Sequence, residues 1–251
     1  EKNLLLPKFY TSLFSYLAKY SIKKADLIRS ISEFTEKQVL NFGYQGLFVR
    51  FPAWINIDNY LNADIKRSYS DTFKIIFVGS VTERKNPKII IESLETIDGN
   101  VSLEIIGQTP NLKYLKELNN LISSSKHAEN ITMTPFIKAE ELISKYSSAN
   151  LFILPSKSEG LGRVIIEAQS TACPVLVSSN TGMVDLIIEN ETGYIFENNN
   201  KNDLSNKIQH IMNNYESALQ TGLNSKDFVK ENQSVANFEF GYKKLIDLVS
   251  I

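Results

Sequence analysis

The chain has 251 residues, with 27 basic and 28 acidic side chains and one cysteine. This length suits one large domain, or one domain and part of another. The nearly balanced charge gives no reason to expect nucleic acid as a partner, and one cysteine excludes an internal disulfide framework and is typical of a reducing compartment. No apolar run is long enough to span a bilayer and no signal peptide opens the chain, so we expect a cytoplasmic protein, soluble or peripheral at the inner face of the membrane.

The N-terminal stretch Lys8–Ile28 has the pattern of a basic amphipathic helix. Leu13, Phe14, Leu17 and Tyr20 follow one another at helical spacing, and several lysines lie nearby. Such a helix can lie on an anionic membrane, or it can pack on another part of the protein. Packing is the more common outcome, and the sequence leaves a peripheral membrane contact through residues 8–28 open.

A short strand and a helix are predicted next. Ala25–Ser30 reads as a strand, and the helix after it begins at a Ser32 cap and ends at Gly43. These elements stand apart from the regular series that follows.

From residue 73 to residue 212, apolar runs alternate with helical patterns. The predicted strands are Lys74–Gly79, Val101–Gly107 and Ile131–Met133, and the predicted helices are Pro87–Thr96, Leu112–Ser123 and Ala139–Ser147, with a further helix starting near Asp203. Strands separated by such helices predict an α/β fold, a Rossmann-like parallel sheet with helices on both faces. Ligands bind these sheets at the carboxyl ends of the strands.

The segment 151–178 is the most informative. It reads as strand, glycine-punctuated loop, helix and strand: Leu151–Leu154, Glu159–Gly162, Arg163–Thr171 and Pro174–Ser178. A helix N-terminus offers backbone N–H groups and a positive dipole end, which suit a diphosphate. Because eight helical residues span about 12 Å, Glu159 could accept hydroxyl groups of a sugar and Glu167 those of a ribose. The arrangement favours a nucleotide sugar as ligand.

The block from Pro155 to Ser178 resembles the family-4 glycosyltransferases, whose nucleotide-binding lobe carries the pattern PSxxEGFGxxxxEAMAxGxPVVAS. The resemblance implies one lobe of a GT-B fold. Residues 1–50 would then be the last part of an N-terminal acceptor lobe, 51–66 the linker between lobes, and 67–251 the nucleotide-sugar-binding lobe with its C-terminal helices. In the linker, Ala53 and Trp54 replace the Asn and Gly of the usual PNGID.

The resemblance also implies a site. Its donor-binding residues are Gly79, Ser80, Arg84, Lys85, Phe136, Ile137, Glu159, Gly160, Leu161, Gly162, Arg163 and Glu167, with Glu159 and Lys85 as the catalytic pair. Lys85 matches the lysine that contacts the diphosphate, whereas Ser80 stands where an arginine is usual and Asn86 where a glycine is usual. Either Arg84 or Arg163 supplies the second cationic contact, or the site is weaker.

Two loops that would border the donor depart from the family pattern. The loop Pro135–Ile137 would lie against the base, and Pro135 replaces the usual glycine, so the base preference, UDP or GDP, stays open. The segment Thr181–Ile187 keeps Gly182 but has substitutions at Thr181, Met183 and Asp185.

Neither a metal nor a cofactor is expected. No Asp-x-Asp pair occurs, and His127 and His210 lie far apart in the chain. Fixed cations would therefore stabilise the leaving diphosphate. Cys173, beside Pro174 at the start of a buried strand, reads as a core residue rather than a reactive thiol.

Three functions compete. The first is the donor-binding portion of a retaining, metal-independent hexosyltransferase that acts on a glycan or a lipid-linked acceptor; the isolated chain would be poorly active. The second is a non-catalytic nucleotide-sugar-binding subunit of a split transferase, and the third is a GT-B-type nucleotide-sugar epimerase. Gel filtration with a candidate acceptor-lobe chain would separate the first two, and product analysis would separate the third.

Overall fold

The computed structural model of the chain describes residues 8–182 and 184–249. The chain forms two compact units, Glu1–Trp54 with Val235–Ile251, and Ile55–Ser234. The boundary falls inside the predicted linker 51–66. The C-terminal residues 235–251, which the sequence analysis grouped with 67–251, belong to the first unit instead, because their helix packs on residues there.

In its described residues, 8–54 and 235–249, the first unit holds two parallel strands and three helices. They are α1 (Lys8–Lys24), β1 (Leu27–Ser30), α2 (Glu33–Asn41), β2 (Leu47–Arg50) and α10 (Val235–Val249). The predicted Ser32 cap is present: its hydroxyl accepts from the Thr35 N–H, and the Thr35 hydroxyl accepts from the Ser32 N–H. α2 ends before Gly43, which has a φ of +86° that favours glycine.

The second unit contains the predicted series of strands and helices. Its strands are β3 (Thr72–Val78), β4 (Asn100–Ile106), β5 (Ile131–Thr134), β6 (Leu151–Leu154), β7 (Val175–Ser178) and β8 (Tyr194–Phe196). Its helices are α3 (Asp58–Leu61), α4 (Lys88–Leu94), α5 (Leu112–Ser124), α6 (Ala139–Ser148), α7 (Arg163–Ser170), α8 (Lys201–Asn213) and α9 (Tyr215–Asn232). The helix predicted to start near Asp203 is α8, which begins at Lys201, because the Asn200 side chain accepts the N–H groups of residues 202 and 203.

The six strands form one parallel sheet in the order β5-β4-β3-β6-β7-β8. The chain first moves outward from β3 through β4 to β5, then returns to the other side of β3 at β6 and continues outward to β8. The direction therefore reverses between β3 and β6. In a doubly wound sheet, the crevice beyond the carboxyl ends of such a strand pair is where ligands bind. The predicted α/β fold with a parallel sheet flanked by helices is confirmed.

The core of this unit is apolar and close-packed around the sheet. Phe73, Phe77, Phe152 and Phe196 are fully buried. Cys173 is also fully buried, and burial raises the pKa of its thiol to about 11, which agrees with the predicted core role.

Arg67 ties together the ends of two helices. Its guanidinium donates to the carbonyl oxygens of Tyr146 and Ala149 at the end of α6, at 3.0 and 2.9 Å. It also donates to those of Thr171 and Ala172 at the end of α7, at 2.9 and 2.6 Å. Because the C-terminal carbonyls of a helix lack partners within the helix and carry negative partial charge, a cation there stabilises both ends. Arg67 therefore links the C-terminal end of α6 to that of α7.

Within the described residues, no helix has the length and apolar character needed to cross a membrane.

Candidate functional site

Three charged side chains meet at the crevice between β3 and β6. The loop after β3 carries Arg84 and Lys85, and the loop after β6 carries Glu159. The Lys85 ammonium forms a close ion pair with the Glu159 carboxylate. The Arg84 guanidinium lies 3.4 Å from the same carboxylate oxygen and donates to the Ser158 carbonyl at 2.7 Å. The sequence placed these residues in one site, and the structure brings them together.

The three groups differ in exposure. The side chains of Lys85 and Glu159 are only 12% and 10% exposed, whereas that of Arg84 is 53% exposed. The Lys85–Glu159 pair is therefore screened from water, and a change in either partner leaves a poorly solvated charge. Arg84 is accessible to solvent even though it contacts Ser158 and Glu159.

The backbone around Lys85 explains one of the two sequence departures, Asn86, and leaves Ser80 unexplained. Asn86 has a φ of +54°, in the left-handed region that asparagine tolerates better than most residues, so the position usually held by glycine accepts it. Gly79 has a φ of +147°, and Gly107 comes so close that a Cβ on it would lie 1.9 Å from the Gly79 carbonyl oxygen. Ser80 is exposed at the end of β3 and offers no positive charge.

The two loop glycines near Glu159 have different reasons to be glycine. A Cβ at Gly160 would meet nothing within 4 Å, so this position faces open space. A Cβ at Gly162 would lie 2.7 Å from the Ile165 Cδ1, which makes Gly162 a packing requirement. Gly162 precedes α7 and provides no side-chain cap, and the partly buried Leu161 packs on the core. Of these two glycines, Gly160 is the one whose missing side chain leaves open space at the loop.

Gly182, which the family pattern also has, packs against the loop that carries Glu159 and Gly160. Its N–H donates to the Glu159 carbonyl at 2.6 Å, and a Cβ there would lie 2.4 Å from the carbonyl oxygens of Glu159 and Gly160. Thr181 pairs with Glu159 in an isolated bridge. Met183 lies outside the described residues.

Glu167 lies on α7 in a different environment. It is 9% exposed, and its carboxylate has Arg163 at 4.0 Å on one oxygen and the Tyr146 hydroxyl at 3.5 Å on the other. Burial raises the pKa of Glu167, and Arg163 and the Tyr146 hydrogen bond partly oppose this. Tyr60 is also close enough for the Glu167 charge to help raise its pKa to about 12, although burial is the larger cause.

The predicted base-binding residues lie apart from the charged groups in the strand order. Phe136 and Ile137 follow the edge strand β5, two strands away from β3. Phe136 is 73% exposed, and Ile137 packs partly on the core. An exposed aromatic ring could stack on a base, and the role of Phe136 stays a prediction.

Sequence reasoning missed Tyr146 and Arg67. Neither belongs to the motif block, and both act through contacts with residues far along the chain. Arg67 has no local signal in the sequence. Tyr146 lies on the apolar side of a predicted helix, which indicates that it is buried but does not identify Glu167 as the partner of its hydroxyl.

Among residues 8–182 and 184–249, no three His, Cys, Asp or Glu side chains are grouped closely enough to hold a metal ion.

Comparisons with known proteins give relatives of one kind. Residues 61–228 match the model of the family "Glycosyl transferases group 1". An uncharacterized glycosyltransferase of Methanocaldococcus jannaschii is 29% identical over 218 residues, which cover 86% of this chain and 58% of that protein. The capsular polysaccharide biosynthesis glycosyltransferase CapM of Staphylococcus aureus is 28% identical over 199 residues, 77% of this chain and 50% of CapM. The chain thus spans about half to three-fifths of these relatives.

Solved structures share the fold. A sucrose-phosphate synthase of Thermosynechococcus elongatus superposes with a TM-score of 0.80 at 22% identity, over 94% of this chain and 62% of that one. Anabaena HepE, solved with UDP and glucose, gives a TM-score of 0.82 at 16% identity, over 99% of this chain and 70% of that one. Because the family model covers most of the sheet and the loops of the crevice, the chain belongs to the group 1 glycosyl transferases.

Proposed function

We propose that the chain is the donor-binding portion of a retaining family-4 glycosyltransferase. It would take a nucleotide-diphosphate sugar and serve transfer to a glycan or lipid-linked acceptor in polysaccharide or glycoconjugate biosynthesis. The observation that carries the proposal is the convergence of Lys85 and Arg84 on Glu159 where the sheet reverses direction.

The chemistry follows from this convergence. When the bond from the sugar to the diphosphate breaks, negative charge grows on the phosphate oxygens, and fixed cations lower the energy of that state. Lys85 and Arg84 supply two such cations. With a donor bound, Lys85 would share its ammonium between the phosphate and Glu159, and Glu159 would accept a sugar hydroxyl. Glu167 would accept the two ribose hydroxyls. The retaining outcome comes from the family resemblance.

The relatives support the same substrate class. CapM is named for capsular polysaccharide biosynthesis, a mycobacterial relative for GDP-mannose-dependent transfer, and HepE was solved with UDP-glucose. Because one similar protein depends on a GDP sugar and another was solved with a UDP sugar, we propose UDP and GDP sugars as the two candidate donors.

We expect the chain alone to transfer sugar poorly. Placing an acceptor hydroxyl at the anomeric carbon and excluding water can contribute roughly 7–11 kcal/mol, and in the family resemblance most acceptor-side groups come from the lobe of which residues 1–50 are the last part. The contact of residues 8–28 with a membrane or with another part of the protein stays a prediction. Within that range, Phe14, Tyr16 and Tyr20 on α1 are more than half exposed.

Lys85→Ala tests the proposal. We expect it to weaken UDP or GDP binding by about 10- to 100-fold, a loss typical of a charge-assisted contact, and to leave the affinity for the matching nucleoside nearly unchanged. Isothermal titration calorimetry with each diphosphate and each nucleoside measures both, with and without EDTA, which we expect to change nothing.

Lys88→Ala is the matched control, because Lys88 pairs with Glu117 on the surface of α4 and α5. It should bind like the unmodified chain. If the unmodified chain binds neither diphosphate, or if binding requires a metal, the proposed function or its fixed-cation basis is wrong.

A further inference from the structure

Glu167 has one carboxylate oxygen directed to the protein interior. That oxygen faces the Tyr146 hydroxyl at 3.5 Å, and Tyr146 is fully buried. The other oxygen lies 4.0 Å from Arg163, whose side chain is 64% exposed. The two oxygens therefore differ: one meets a buried phenol and the other faces the solvent-accessible side.

Tyr146 is held firmly in this place. Its ring packs edge-on against Phe152 at 5.8 Å between centroids and lies 6.2 Å from the ring of Tyr60. Its carbonyl oxygen accepts from Arg67, which also binds the end of the helix that carries Glu167. The hydroxyl and the carboxylate are thus mounted on two helices tied together at their ends.

We propose that Tyr146 is the residue that positions Glu167 for ribose recognition, which deepens the proposed function and rests on it. The hydroxyl of Tyr146 donates to the interior oxygen and fixes the plane of the carboxylate, so that the outer oxygen is presented to the ribose. A distance of 3.5 Å is long for an O–H···O bond, whose usual value is about 2.7–2.8 Å. Bonds of this kind in unliganded sites commonly tighten when the ligand binds.

The buried Tyr146 hydroxyl also helps to keep the Glu167 carboxylate charged. A carboxylate removed from water tends to take up a proton, and a protonated Glu167 would lose acceptor capacity toward the ribose. The groups that face Glu167 are Tyr146 from α6, Arg163 from α7 and Tyr60 from α3. Of these, Tyr146 is the donor within hydrogen-bonding distance, and it favours the charged form.

Tyr146→Phe is the test, because it removes one oxygen and keeps the ring. Calorimetry would use UDP or GDP, whichever the unmodified chain binds more tightly, together with its 2′-deoxy analogue. We expect about 3- to 10-fold weaker binding of the ribose ligand and a smaller loss for the deoxy ligand, since that ligand gains less from Glu167. Tyr114→Phe is the matched control, a buried tyrosine on α5 beside Lys88 and Glu117, and should leave both affinities unchanged.

A second measurement does not depend on ligand. The carbon-13 shift of the Glu167 carboxyl, followed against pH, should show a higher titration midpoint in Tyr146→Phe than in the unmodified chain, because a donor to the charged form is lost.

Unchanged affinity ratios together with an unchanged midpoint would overturn the positioning role. If Glu167→Gln still weakened binding in the same assay, the proposed function would stand without it. Absence of diphosphate binding by the unmodified chain would overturn both.

Discussion

The two ends of α7 contrast in how their backbone groups and charges are used. At the start, Gly162 provides no side-chain cap, and the nearby Lys85 and Arg84 both contact the Glu159 carboxylate. At the end, the carbonyls of Thr171 and Ala172 are both taken by Arg67. The start of the helix thus lacks a side-chain cap, whereas its end is satisfied by a cation from elsewhere in the chain.

This difference teaches how a short helix can hold a binding site. An eight-residue helix gains little stability from its own hydrogen bonds and depends on tertiary contacts. Here Arg67 supplies them at the C-terminal end, so the N-terminal end can stay open. Mutations at the two ends should therefore separate stability from binding.

Arg67→Ala should have the largest effect, on stability. It removes hydrogen bonds to four carbonyl oxygens at two helix ends, and we expect the free energy of unfolding to fall by about 3 kcal/mol, as for loss of a buried charged network. Urea unfolding measures this.

Arg163→Ala is the control at the other end of the same helix. Its side chain is 64% exposed, and its loss should change the free energy of unfolding by less than about 0.5 kcal/mol. Equal effects at the two ends would contradict the contrast between them.

The sequence pointed to a candidate site at the start of α7 and gave no sign of the Arg67 contacts at its end. The ordered block from Pro155 to Ser178 predicts this site, because it keeps the local spacing of a loop followed by a helix start. Arg67 lies about a hundred positions from the carbonyls of α7, and no local pattern encodes so distant a hydrogen bond. For the same reason, the Lys85–Glu159 ion pair could not be derived from two separate loops, although both residues were placed in the site.

The central strands of the sheet were easier to predict than its last strand, β8, and the position of the C-terminal helix α10. Buried strands of a parallel sheet are nearly continuous apolar runs, and β6 and β7 match that pattern, whereas β4 alternates apolar and polar residues over most of its length. β8 was not predicted: Tyr194–Phe196 is only three residues long, and no helix pattern was assigned between β7 and it that would have marked it as the next strand of the series. The position of α10 depends on packing around Phe51, and no feature of its own sequence specifies that.

Glu167 lies between the two ends of α7, and Glu167→Gln tests its proposed role in binding the ribose. We expect ligand binding to weaken by about 1.5–3 kcal/mol, because a site for two hydroxyl donors loses a charged acceptor. Calorimetry with the better-bound diphosphate checks it, and an unchanged affinity would remove Glu167 from the ribose role.

The same substitution should stabilise the protein at neutral pH. Burial raises the pKa of Glu167 in the folded state, so the folded chain holds this proton to a higher pH than the unfolded chain. The free energy of unfolding then falls as the pH rises from the unfolded pKa through the folded one and stays lower above it. Glu167→Gln removes that loss, and its melting temperature should exceed that of the unmodified chain at pH 7, with the difference shrinking as the pH falls through the raised pKa toward about 4.5 and absent below it. A lower melting temperature at pH 7 would contradict this.

Substitutions at the two glycines of the loop before α7 test how much space surrounds the N-terminal end of this helix. Gly162→Ala forces a Cβ to 2.7 Å from the Ile165 Cδ1, and the free energy of unfolding should fall by about 1–2 kcal/mol as the side chain moves aside. Gly160→Ala places its Cβ in open space and should change stability by less than about 0.5 kcal/mol.

For ligand binding the order should reverse: Gly160→Ala should have the larger effect and Gly162→Ala the smaller. A methyl group at Gly160 would stand in the space that we assign to the donor, so the affinity for the better-bound diphosphate, or for its glucose conjugate, should fall a few-fold while the melting temperature stays unchanged. Gly162→Ala should bind normally once folded, because its methyl group meets protein atoms rather than the crevice. If Gly160→Ala binds every ligand like the unmodified chain, the donor does not pass over this loop, and the open end of α7 must be assigned to another part of the crevice.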